Sequence, residues 1–159
     1  MIHSMSSKYD KDQRDWLKLI DEEVIRPEIP IIDPHHHLWP STLSADSEFG
    51  SNRYLLEDLW EDTERGHKIV KTIFVECGQG YYNDGPEEMK PVGETEFVVS
   101  VSKEASLDNS KAQIGGIVSY ADMMLGSSVK EVLEAHQEKG KGLFKGIRHA
   151  AGWDKSNQI

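Results

Sequence analysis

Cysteine is almost missing from this 159-residue chain. The single thiol, Cys77, excludes an intramolecular disulfide and argues against a cysteine-built zinc site. Long hydrophobic runs are missing too. No window holds ten consecutive apolar residues, which excludes a membrane-spanning helix. The N-terminus has no basic stretch followed by an apolar one, so no secretory leader is expected. Basic residues are in deficit, with 18 Lys and Arg against 28 Asp and Glu and a net charge of −10. Nucleic acid backbones and anionic membranes attract the opposite sign, so both are excluded as partners. What remains is a cytoplasmic, reduced chain whose partner is a small molecule. Apolar residues make up 37%, enough for the core of one domain.

Hydrophobic periodicity places the elements. Trp16, Leu17, Ile20 and Val24 recur at helical spacing and predict a helix over 10–25, stopped by Pro27 and Pro30. It belongs to an N-terminal extension over 1–28, ahead of a domain over 29–159. A strand is predicted near 29–35 and a loop over 38–53. A helix over 54–66 follows, with Leu55, Leu56, Leu59 and Trp60 on one face and Gly66 as its stop. The β-branched run over 69–77 reads as a buried strand. Residues 95–106 carry two signals. Phe97, Val98 and Val99 favour strand by propensity, whereas Phe97, Val98, Val101 and Ala105 form a helical face. The face is preferred, with Thr95 as a cap. A strand over 112–120, a helix over 128–139 with a Ser128/Glu131 capping box, and a strand over 143–149 complete the series. Strand and helix alternate throughout, which predicts right-handed βαβ units around a parallel sheet.

Chemistry concentrates in Asp33-Pro34-His35-His36-His37. Residues two apart share a face of a strand, so Asp33, His35 and His37 point one way and His36 the other. Two imidazoles about 7 Å apart along a strand end can converge on one divalent ion, and imidazole suits zinc, manganese, iron or cobalt. Spacing alone leaves a solvated histidine loop as the alternative. Position favours the metal, because parallel α/β enzymes build their sites at the C-terminal ends of strands.

Asp33-Pro34-His35-His36-His37-Leu38-Trp39 resembles the opening strand of the amidohydrolase superfamily, in its amidohydrolase-related branch. Phe74-Val75-Glu76-Cys77-Gly78, Gly93-Glu94-Thr95-Glu96-Phe97, Gly116-Ile117-Val118 with Ala121-Asp122, and Gly146-Ile147-Arg148-His149 with Trp153-Asp154 resemble later segments of that branch, in order. The likeness spans roughly 29–154. It implies a (β/α)8 barrel of TIM type and metal-dependent hydrolysis, with lactonases and decarboxylases as relatives. His35 and His37 would be metal ligands, zinc first and manganese second. Arg148 would meet a substrate carboxylate, with a rim ion pair as its plainer reading. Glu76 would hydrogen-bond a ligand histidine, or else be a solvated rim carboxylate. His149 and Asp122 read as loop and turn residues, and His136 and His67 as ordinary helix residues.

A barrel of this kind takes eight strands, and only four are predicted. The chain is therefore expected to be the N-terminal half of such a barrel. No catalytic residue is assigned: the strand-five histidine and the strand-eight aspartate that acts as general base have no counterpart. The activity expected of the whole is hydrolysis of a small amide, lactone or ester by metal-activated water. Metal-independent lactonase and metal-dependent decarboxylase are the alternatives within the branch. An inactive half-barrel serving as an interaction module is the alternative outside it. Open sheet edges would then favour self-association.

Overall fold

The computed structural model describes residues 22–40 and 53–152, together with Trp16, Leu19 and Lys155. The elements are β1 (Pro30–His36), α1 (Leu56–Thr63), β2 (Lys68–Val75), α2 (Val92–Ala105), β3 (Gln113–Ser119), α3 (Val129–Lys139) and β4 (Phe144–Ile147). Short 3-10 turns at Glu87–Met89 and Met123–Ser128 precede α2 and α3. The four strands form one sheet in the order β1-β2-β3-β4, and every pairing is parallel. Sheet order follows chain order with no reversal, so crossovers of one hand lay every helix on one face. The expectation of an α/β chain with alternating units and a parallel sheet is met.

That covered face is the core. Phe74, Ile114 and Ile117 from the sheet pack with Leu38, Leu56 of α1, and Val98, Val101 and Ala105 of α2. A second cluster joins Val92 of α2 to Val129 and Val132 of α3, with Ile147 against it. No described element covers the opposite face. Ile32 is 56% exposed, and the side chains of Lys71, Ile73 and Lys145 lie over Gly115 and Gly116. Among the described residues, β1 and β4 are unpaired edges. No described helix is long and apolar enough to cross a membrane.

Several local expectations need correction. The predicted helix over 10–25 falls mostly outside the described residues, but 22–25 are not helical. Much of the 38–53 loop and the Trp153-Asp154 pair also lie outside them. Trp39 and Tyr54, which flank the undescribed part of that loop in the sequence, exchange two backbone hydrogen bonds of 2.8 and 3.0 Å. His67 sits in the bend after α1 rather than on a helix. α2 starts three residues early, because Pro91 has helical dihedrals already (φ −61°, ψ −19°), and a proline ring presets φ for a helix start. Thr95 is therefore inside the helix and caps nothing. The Ser128/Glu131 capping box is not formed. The 3-10 turn runs straight into α3, so Ser128 is itself helical (φ −69°, ψ −17°). The side-chain cap belongs to Asp122, which accepts the Met124 amide at 2.8 Å, as turn chemistry predicts.

Gly93 shows how closely the β2–α2 loop is laid on its helix. A Cβ there would stand 2.5 Å from the Gly80 carbonyl oxygen and 2.7 Å from the Tyr82 nitrogen. Both are backbone atoms and cannot rotate aside. Gly93→Ala is expected to destabilise the chain by about 2 kcal/mol, read as a lower urea midpoint. An unchanged midpoint would mean that the loop is free to lift off α2.

Candidate metal centre

β1 ends in a distorted stretch. Pro34 supplies no N–H to the ladder, which is tolerated because β1 is an edge strand. The β1–β2 register slips by one residue between Asp33 and His36, so the strict alternation expected through Asp33, His35 and His37 is broken. The Asp33 carboxylate turns back to accept the His35 amide at 3.0 Å. It orients the strand end, as an aspartate in a short turn does. His36 goes to the core side, where it meets the Phe74 ring edge-on at 5.7 Å between centroids. It is 7% exposed, and its ring nitrogens have no hydrogen-bond partner among the described residues. Burial pushes its pKa down to about 4. It is a neutral packing residue.

His35 and His37 behave differently. Their rings meet at 4.8 Å and 85°, and the two Nε2 atoms are 3.2 Å apart. Two nitrogens bound to one tetrahedral zinc, each at about 2.0–2.1 Å from it, are separated by about 3.4 Å. The observed separation is close to that value. His37 Nδ1 donates to the Val75 carbonyl at 2.7 Å. That bond places the proton on Nδ1 and leaves Nε2 with its lone pair, the tautomer a metal ligand needs. Burial lowers the His37 pKa, as do the neighbouring His35 and Arg148, against the Val75 bond and Glu76, which raise it. Without an ion, the 3.2 Å contact is an N–H···N bond donated by His35; a cation would replace that proton. A cavity of about 380 Å³ opens beside the pair, with Trp39 and Tyr54 on its wall. Among the described residues, no three His, Cys, Asp or Glu side chains converge as a metal group.

The remaining predicted residues gather at the same end of the sheet. Glu76 follows β2 and Arg148 follows β4. Arg148 Nε donates to Glu76 Oε1 at 2.7 Å, and Nη2 donates to the Glu76 carbonyl at 2.8 Å. His37 is held by a backbone carbonyl, Val75, and the Glu76 carboxylate holds Arg148 in a rim ion pair, the plainer reading of Arg148. The reason is position. Val75 ends β2 directly beside the end of β1, whereas Glu76 lies one residue further, facing β4 across the end of β3. His149 accepts the Met123 amide on Nδ1 at 3.0 Å and packs edge-on against Tyr120, as a loop residue.

Two buried groups hold structural roles that sequence reasoning missed. Glu94, 1% exposed in the first turn of α2, accepts the amides of Cys77 and Gln79 on Oε1 at 3.1 and 2.7 Å. Its Oε2 has no partner among the described residues, and burial raises its pKa to about 6. It pins the loop that carries Glu76. Burial pushes the Cys77 thiol up to about 12. His136, read as an ordinary helix residue, is fully buried. Its Nε2 donates to the Tyr120 carbonyl at 2.9 Å, and Nδ1 accepts the Thr95 hydroxyl at 2.8 Å. Thr95 in turn meets Ser119 Oγ at 2.6 Å. A polar residue on the apolar face of α3 was the one available signal.

No family model matches the chain, and no solved structure matches it. A curated relative, "Uncharacterized protein y4mH" of Sinorhizobium fredii (strain NBRC 101917 / NGR234), is 28% identical over 137 residues. The match covers 77% of this chain and 40% of that protein, so the chain spans less than half of its relative's length.

Proposed function

We propose that this chain is the N-terminal half of a (β/α)8-barrel hydrolase of the amidohydrolase superfamily, acting on a small amide, lactone or ester. The observation that carries it is the 3.2 Å convergence of His35 and His37 Nε2 at the C-terminal end of β1, with His37 Nδ1 bonded to Val75. Singly wound strands with helices on one face, two open edges and an uncovered opposite face are what half of such a barrel presents. Further strands would pair with β1 and β4 and bring the ligands still needed.

His35 and His37 would hold a divalent ion, zinc or manganese. Such an ion, when bound, lowers the pKa of a coordinated water and polarises a carbonyl. The residues of this chain position and select. The Val75 carbonyl fixes the His37 tautomer, and Arg148 presents guanidinium N–H groups to an anionic substrate group at the same mouth. The general base belongs to the part of the barrel outside these four strands.

The test is cobalt(II) and zinc(II) binding by the purified 159-residue chain, followed by titration and elemental analysis. Binding is expected to be weak, because two imidazoles are an incomplete set. Loss of either His35 or His37 to alanine is expected to weaken it about tenfold or more. Affinity unchanged in the His35→Ala/His37→Ala variant would overturn the metal centre.

A further inference from the structure

Arg148 uses only part of its guanidinium. Nε and one Nη2 hydrogen are taken by Glu76, and three of the five N–H groups have no partner among the described residues. A flexible arginine, with side chain 43% exposed against 17% for Glu76, would ordinarily sample many rotamers. Here two bonds to one residue lock its plane. The anchor is itself fixed: the Glu76 amide donates to the Val118 carbonyl at 2.8 Å, and the Arg148 amide to the Ser119 carbonyl at 2.8 Å. The pair thus bridges the ends of β2 and β4 across the end of β3. Glu94 holds the next turn of the Glu76 loop from beneath. Arg148 is also close enough to act electrostatically on His37.

We infer that Glu76 is a positioning residue, which holds the free edge of the Arg148 guanidinium towards the carboxylate of a molecule bound at the histidine pair. The inference rests on the proposed hydrolase reading for what is bound, but not for the placement of Arg148. Glu76 would serve recognition in two opposed ways. It fixes the fork in one plane, and it offsets part of the positive charge, so that a carboxylate binds reversibly. A rim ion pair with no binding role would do only the second.

These two roles predict different responses. Benzoate serves as the carboxylate probe, titrated into the full chain with the arginine side-chain nitrogens observed by NMR. In the wild type, benzoate is expected to shift the Arg148 signals, and Arg148→Lys is expected to abolish benzoate binding, read from the benzoate's own proton signals. Glu76→Gln keeps an acceptor for Nε, and binding is expected to be as tight as wild type or tighter. Glu76→Ala removes that acceptor, and binding is expected to weaken about fivefold. If Glu76→Ala binds benzoate as well as or better than the wild type, Glu76 only neutralises Arg148 and the inference fails. It also fails if benzoate leaves Arg148 unperturbed in the folded wild type. Metal titration of the same samples separates the two readings, since loss of cation binding with benzoate recognition intact would remove the hydrolase assignment and leave the role of Glu76 standing.

Discussion

His136→Ala should cost the folded state about 4 kcal/mol. The ring is fully buried and stacks on Phe144 at 5.4 Å and 14°, so truncation leaves a cavity between α3 and β4. It also takes one partner from the buried Thr95 hydroxyl, which keeps Ser119, and one from the part-buried Tyr120 carbonyl. Chains of this size have roughly 5–15 kcal/mol in total, so such a loss would leave the variant unfolded at modest urea. Thr95→Val removes one hydroxyl from the same chain of bonds and should cost about 1–2 kcal/mol. The double variant should cost less than the sum, because both remove the same contact. Urea denaturation followed by circular dichroism measures all three. A penalty below about 1 kcal/mol for His136→Ala would mean that the Ser119-Thr95-His136-Tyr120 network does not tie α2 and α3 to β3.

Glu94→Ala should cost about 3 kcal/mol, since the amides of Cys77 and Gln79 lose their acceptor in a buried loop. Glu94→Gln keeps an acceptor oxygen and should stay within about 1 kcal/mol of wild type at neutral pH. The diagnostic is pH. The folded carboxyl titrates at about 6 instead of 4.5, so between those values the folded chain holds a proton that the unfolded chain gives up. The native state is therefore penalised above pH 6, by about 2 kcal/mol at full ionisation, and the penalty fades as pH falls towards 4.5. Relative to Glu94→Gln, the wild type should gain by that amount between pH 7 and 4.5. A difference between the two that stays flat over this range would show that burial does not raise Glu94.

The histidine pair was legible because His-x-His uses the two-residue period of a strand, and the alternating pattern put it at the C-terminal end of the first strand. That much is local. The 3.2 Å convergence of the rings was not, because it depends on the irregular end of β1 and on the carbonyl of Val75, a residue 38 positions away. Backbone acceptors carry no sequence signature. Glu76 and Arg148 were both picked out as rim residues, yet their mutual bond over 72 positions is set by the strand order.

By itself the sequence determined the class of architecture, the sites of the elements and the two histidines, since hydrophobic period, turn residues and strand ends are written in neighbouring positions. Its single cysteine also excludes a disulfide within these residues. Tertiary structure decided the rest: the early start of α2, the burial of His136 and Glu94, the register slip between Asp33 and His36, and the pairing of Glu76 with Arg148. Each depends on which groups lose water when the helices close on the sheet. Desolvation is a property of the packed chain, and no window of neighbouring residues encodes it.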